Sequence, residues 1–159
     1  MKIWKSADGE KFSDEELLKV LNEYRSNNPL DNIQIVVGTD SNAQKNFYRF
    51  ITVVCAYRPL KGGIFFRKTT TEPRDSHKST RSRLFYEATL SIESGSLIRD
   101  VGGMSAIVHV DAGNPLYSKA LSSAFGDQIK GYVVNSGFEC HLKPNSWCAS
   151  SIANKFTRK

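Results

Sequence analysis

The sequence predicts an α/β fold: a mixed five-stranded sheet in the order βββαβαβα, with flanking helices and an extra N-terminal helix. Three observations carry this. Residues 33–39, 48–57 and 63–71 are strand-like runs joined by short connections, which implies an antiparallel meander. From residue 81 onward, helical and strand periodicities alternate, as in parallel strands joined by crossover helices. A length of 159 residues, with 40% hydrophobic and 24% charged side chains, suits one domain around one core. Residues 1–159 therefore read as a single domain, with 1–30 a helical extension and 31–159 the core.

The first helix opens at Phe12-Ser-Asp-Glu-Glu16. Ser13 can cap it, Glu16 completes a capping box, and Phe12 can staple onto Leu17. Leu17, Leu18, Leu21 and Tyr24 form its apolar face, and Asn27-Asn28-Pro29 ends it. Residues 33–39 are continuously apolar, as a strand buried on both faces requires. Residues 48–57 are β-branched and aromatic, and a Gly62-Gly63 turn leads into 63–71. The polar stretch 72–80 reads as a loop. A helix over 81–99 places Leu84, Ala88, Ser91, Gly95 and Ile98 on one face, and Glu87 falls on that same face. Residues 104–111 form the fourth strand, on which His109 and Asp111 share a side.

Residues 131–134 (Gly-Tyr-Val-Val) suit a strand by propensity. The stripe Phe125, Ile129, Tyr132, Val133 and Ser136, with Gly137 behind it, favours a helix over 121–136. Residues 138–143 then alternate as a fifth strand, and 145–157 close the chain as a helix beyond Pro144.

No apolar run approaches the roughly 20 residues of a membrane span. The N-terminal residues lack the apolar core of a signal peptide, so the expectation is a cytoplasmic protein without membrane contact. Cys55, Cys140 and Cys148 show no metal-ligand spacing and read as buried thiols. The net charge of +6 biases the chain toward anionic partners. Arg67, Lys68, Arg74, His77, Lys78, Arg81 and Arg83 crowd around one loop, and Lys143, Lys155, Arg158 and Lys159 gather near the C-terminus. Such clusters are either solvated surface or a nucleic-acid footprint.

Three acids stand out. Asp40 ends one apolar run and Asp111 another, while Glu87 lies on the inward face of a helix. Carboxylates at buried strand tips are costly to desolvate unless something positive meets them, and the local sequence offers no obvious Lys or Arg. A divalent cation would answer all three. The alternatives are strand-end turn acids for Asp40 and Asp111, and a pairing with Arg83 one helical turn earlier for Glu87. No phosphate-cradling glycine loop or Ser-His-Asp order is present.

The element order resembles the ribonuclease H-like superfamily. More closely, Gly38-Thr-Asp-Ser41, Tyr86-Glu87-Ala-Thr-Leu90, His109-Val-Asp-Ala-Gly113, Gly137-Phe-Glu139 and Lys143-Pro-Asn-Ser-Trp-Cys-Ala-Ser-Ser151 resemble the YkuK family of ribonuclease H-like proteins. The resemblance implies a metal-dependent nuclease acting on RNA, an RNA–DNA hybrid or structured DNA, or else a catalytically weakened nucleic-acid-binding module. It assigns Asp40, Glu87 and Asp111 as catalytic and metal-holding residues, with Mg²⁺ or Mn²⁺ as the cofactor suited to oxygen ligands. The family pattern places an Asp after the Lys-Pro pair; here that residue is Asn145, an uncharged ligand or a helix N-cap. Ser41, His77, Lys78 and Arg81 are the candidate contacts to nucleic acid. His109 could act near Asp111 or serve as a core histidine, and Tyr86 and Trp147 read as packing residues.

Overall fold

The first departure from expectation lies at the N-terminus. In the computed structural model, which describes residues 1–113 and 125–157, strands β1 (Trp4–Ser6) and β2 (Lys11–Phe12) form an antiparallel hairpin before any helix. Asp8-Gly9 makes its turn, with Gly9 at φ +86°, a conformation open to glycine. The sheet therefore has seven strands rather than five. Its spatial order is β2-β1-β5-β4-β3-β6-β7 once the remaining strands are placed: β3 (Gln34–Ala43), β4 (Phe47–Arg58), β5 (Gly62–Pro73), β6 (Ile107–Gly113) and β7 (Glu139–Lys143). The meander β3–β4–β5 is antiparallel, while β6 and β7 run parallel to β3, so the expected five-strand order survives inside the larger sheet.

Among the described residues, four α-helices accompany them: α1 (Asp14–Ser26), α2 (Thr80–Ser96), α3 (Gly126–Asn135) and α4 (Asn154–Thr157). The capping box of α1 forms as its sequence dictates, Ser13 accepting from the Glu16 amide and Glu16 from the Ser13 amide. Helix α2 continues as a π-helical turn over Leu97–Val101. The Met104 amide caps that end by donating to Ile98 O, so β6 starts three residues later than the periodicity suggests. Residues 131–134 are helical, since Ile129 and Val133 on their stripe are buried. The first four residues of the expected 121–136 helix lie outside the described residues, as do Arg158 and Lys159. At the C-terminus the helix also starts late: a π-helical turn, Cys148–Ala153, precedes α4. Asn145 does not cap it. Its amide donates to Leu142 O, and Trp147 is the flanking residue.

Two apolar layers flank the sheet. Trp4, Leu17, Leu21, Val37, Val54, Ile98, Val108 and Ile129 form the larger core under α1, α2 and α3. Val36, Ile51, Val53, Cys55 and Cys148 form the smaller one under the C-terminal helix. Gly38 lets that helix approach: a Cβ there would stand 2.6 Å from Ala149 N. All three cysteines are buried free thiols. No described helix is long and apolar enough to cross a membrane.

Candidate functional site

The two strand acids meet at a fork in the sheet. Pairing between β3 and β6 runs from Val36↔Ile107 to Thr39↔Val110 and then stops, while β3 continues along β4 to Ala43↔Tyr48. Asp40 and Asp111 are the next residue on each strand, immediately beyond the last pair. Strand β3 does not end at Asp40, as its apolar run suggests; it passes through it. The tip belongs to the β3–β6 seam.

Asp40 is 6% exposed and turned toward the C-terminal helix, where Asn154 Nδ2 donates to its Oδ2 at 2.8 Å and Thr157 Oγ1 at 3.4 Å. Burial raises its carboxyl above the ordinary range; Asn154 opposes this, and Asp111 adds to it. Ser41, the next residue, points to the opposite face and donates to Glu87 Oε2. Glu87 is 4% exposed in α2, so its solvated pairing with Arg83 does not form; Arg83 lies over the Tyr48 ring instead. Desolvation drives the Glu87 carboxyl well above its ordinary value, and the charges of Asp40 and Asp111 push the same way. Its Oε1 is buried without a hydrogen-bond partner.

Asp111 differs. Lys143 Nζ, from the end of β7, stands 3.1 Å from its Oδ1, an ion-pair distance off the hydrogen-bond direction, so that oxygen also lacks a hydrogen bond. Asp111 thus has a basic neighbour that its local sequence does not supply, while among the described residues Asp40 and Glu87 form no ion pair. Lys143 is 47% exposed, so the pair is partly screened by solvent.

The donor set is all hard oxygen, which fits Mg²⁺ or Mn²⁺. The arrangement is not closed: among the described residues, no group of three or more His, Cys, Asp and Glu side chains is placed to hold a metal ion. The strand pleat is the reason. Asp40 and Ser41 face opposite sides of β3, so Glu87, bound to Ser41, flanks the strand from the side away from Asp40.

The other candidates are dispersed. Asn145 is exposed and shares a surface depression with Lys130, His141 and Trp147; the amide that reaches Asp40 is Asn154. His77 is docked rather than free in its loop, stacked on Tyr86 with ring centroids 4.6 Å apart and bonded through Nδ1 to Ser82 Oγ at 3.0 Å. Tyr86 is half-buried, donating to Glu72 at 2.7 Å. Lys78 is exposed, and Arg81 lies over the Phe85 ring while reaching Gln128 Oε1 at 3.4 Å. His109 is a core residue: its Nδ1 accepts from the Cys148 amide, its ring stacks on His141, and burial lowers its pKa to about 4. Trp147 packs edge-on against it. The sequence does not flag Asn154 or Thr157, nor Lys143 as a neighbour of Asp111, because only the tertiary fold brings them to the acids. The one available signal is Gly38, whose missing Cβ marks where another backbone comes close.

A seven-stranded mixed sheet, with Asp40 buried and Asp111 half-buried at its β3–β6 seam, defines the class: an α/β protein with acids gathered where two central strands part. A family model described as ribonuclease H-like matches residues 16–158, and the chain belongs to that family. It is also 26% identical, over 160 aligned residues, to the uncharacterized protein YkuK of Bacillus subtilis (strain 168), covering 91% of this chain and 90% of that one.

Proposed function

We propose that the protein is a metal-dependent nuclease that hydrolyses phosphodiester bonds in RNA, RNA–DNA hybrid or structured DNA. One observation carries the reading: Glu87 is buried with an unpartnered oxygen, beside two further carboxylates, and among the described residues no cation is paired with it or with Asp40. Burial and the neighbouring carboxylates raise the proton affinity of Asp40 and Glu87, a state that a hard divalent ion relieves. Asp40, Glu87 and Asp111 would hold Mg²⁺ or Mn²⁺ once their side chains, which stand on two sides of β3, closed on one ion. When bound, the ion supplies an activated water and stabilises the leaving oxygen. The chain's own contribution is orientation. Asn154 and Thr157 fix the Asp40 carboxylate, and Ser41 fixes one oxygen of Glu87 and leaves the other without a hydrogen bond.

Asp40→Asn is expected to lower Mn²⁺-dependent cleavage of labelled RNA, hybrid and junction substrates by at least about 100-fold, with an unchanged circular dichroism spectrum. Undiminished cleavage by a clean preparation of that variant would discard the assignment.

A second reading, a weakened relative that binds nucleic acid without cutting it, has its own support. Lys143 already occupies one side of Asp111 with a positive charge. If Lys143 holds that place permanently, the protein binds substrate and turns over none in either Mg²⁺ or Mn²⁺.

A further inference from the structure

Of the basic residues that crowd the sequence at 67–83, Arg67 belongs to a more regular cationic surface. That surface is built by the N-terminal hairpin. Register places Lys11 opposite Lys5 across β2–β1, and Lys5 opposite Arg67 across β1–β5. Opposed residues share a sheet face, so three cations stand in one row spanning about 10 Å of sheet. Like charges opposed in this way destabilise a sheet. Among the described residues, neither they nor nearby Arg49 make an ion pair. Among the described residues, Arg67 reaches the Ser6 carbonyl at 3.2 Å and the face of Phe156 at 4.1 Å, and Arg49 reaches the Thr157 carbonyl at 3.5 Å and the Phe47 ring at 6.0 Å. None of these contacts neutralises charge.

The row borders an open depression of about 590 Å³ lined by Lys5, Arg49, Ile51, Arg67, Lys68 and Phe156, and among the described residues no carboxylate lines it. It leads to the acids. Ile51 is the cross-strand partner of Asp40, and Thr157, held by Arg49 through its carbonyl, donates its hydroxyl to Asp40.

We infer that the Lys11–Lys5–Arg67 row with Arg49 is a track for the phosphate backbone of a single nucleic-acid strand, leading along the C-terminal-helix face of the sheet to Asp40. The occupant is a strand rather than an isolated anion because the cations form a line wider than one phosphate and end beside the candidate catalytic acids. The half-buried Phe156 ring offers apolar surface on the way. The inference rests on the nuclease reading for its direction, but it is tested by binding alone.

The experiment measures binding of a labelled single-stranded oligoribonucleotide and its DNA counterpart in EDTA, over a salt series. The wild type is compared with Lys5→Gln/Lys11→Gln, with Arg67→Gln, and with Lys78→Gln/Arg81→Gln. The first double variant alters only exposed side chains, so its fold should persist; a melting curve checks this. It should bind about tenfold more weakly at low salt, with a log K against log salt slope shallower by about 0.7 for each phosphate that the substitutions leave unneutralised. The Lys78/Arg81 variant should change less. Three results overturn the track: wild-type affinity and slope in Lys5→Gln/Lys11→Gln, no binding by the wild type, or equal competition by inorganic phosphate at the concentration of the strand's phosphates. Loss of binding in the row variants with no metal-dependent cleavage by the wild type supports the track and removes the nuclease reading. Asp40-dependent cleavage that the row variants leave untouched does the reverse.

Discussion

Strand β3 carries an acid problem at each end and resolves the two in opposite ways. Just before it, Asp31 takes Arg58 at 2.7 Å and Lys61 at 2.9 Å, and these cations hold its carboxyl below the ordinary value. At the other end, Asp40 and Glu87 are more deeply buried, yet their partners are an amide and hydroxyls, and both carboxyls are raised. The chain does not lack cations, since Lys and Arg number 22 and Arg83 sits one turn from Glu87. It places them elsewhere. A structural acid is paired by the fold; an acid left buried and unpaired leaves room for a charge from outside. Asp111 stands between these cases, with a partly exposed lysine beside it.

The largest effect should come from supplying that charge. Mn²⁺ at about 100 times its dissociation constant stabilises a protein by about 2.7 kcal/mol. For a chain of this size that is a Tm rise of roughly 5–10 °C. The rise should be seen at neutral pH in the wild type and should vanish in Asp40→Asn. A rise that persists there would place the ion elsewhere. Asp31→Asn, at the other end of the strand, should leave it intact.

Next in size is the removal of charge from Glu87. Without metal, Glu87→Gln should stabilise the protein at neutral pH by about 1–3 kcal/mol, the order expected for a buried, incompletely partnered charge. The pH dependence has a definite sign. The folded-state pKa of Glu87 is raised, so its contribution is intact below the ordinary carboxylate value and is lost as pH climbs through the folded value. His109, buried neutral with its pKa lowered to about 4, acts in the other direction: its contribution is present above about 6.5 and fades as pH falls toward 4. The difference between wild type and Glu87→Gln across pH cancels the histidine and isolates the carboxylate. A flat difference would mean that the Glu87 carboxyl has the same proton affinity folded and unfolded, and so is not held in a desolvating site.

Much of this is legible in the sequence, for identifiable reasons. The β-meander, the capping box of α1 and the inward turn of Glu87 follow from periodicity and local chemistry, which act over a few residues. The hairpin is not legible, because strands of three and two residues carry almost no periodicity, although Asp8-Gly9 is a turn signal. The three acids are legible as anomalies, each being a charge where the pattern calls for an apolar residue. Their partners are not. Asn154 lies 114 positions from Asp40, and Lys143 becomes a neighbour of Asp111 only through the parallel pairing of β6 with β7. The separation of Asp40 and Glu87 onto two sides of β3 likewise needs the identity of the helix facing Ser41.

The smaller effects test where Asp111 falls between the two ends of β3. Its lysine is 47% exposed, so the pair is worth little to stability, as partly solvated ion pairs are. Its weight should fall on cation binding instead. An ammonium beside Asp111 opposes a divalent ion by charge repulsion, and Lys143→Gln removes that opposition. The variant should bind Mn²⁺ about three- to tenfold more tightly, corresponding to roughly 0.7–1.4 kcal/mol at 1.4 kcal/mol per factor of ten, with a nearly unchanged metal-free Tm. Calorimetric titration reads the affinity directly. If affinity instead falls and the Tm drops with it, Lys143 is to Asp111 what Arg58 is to Asp31, a structural partner, and the candidate metal site narrows to Asp40 and Glu87.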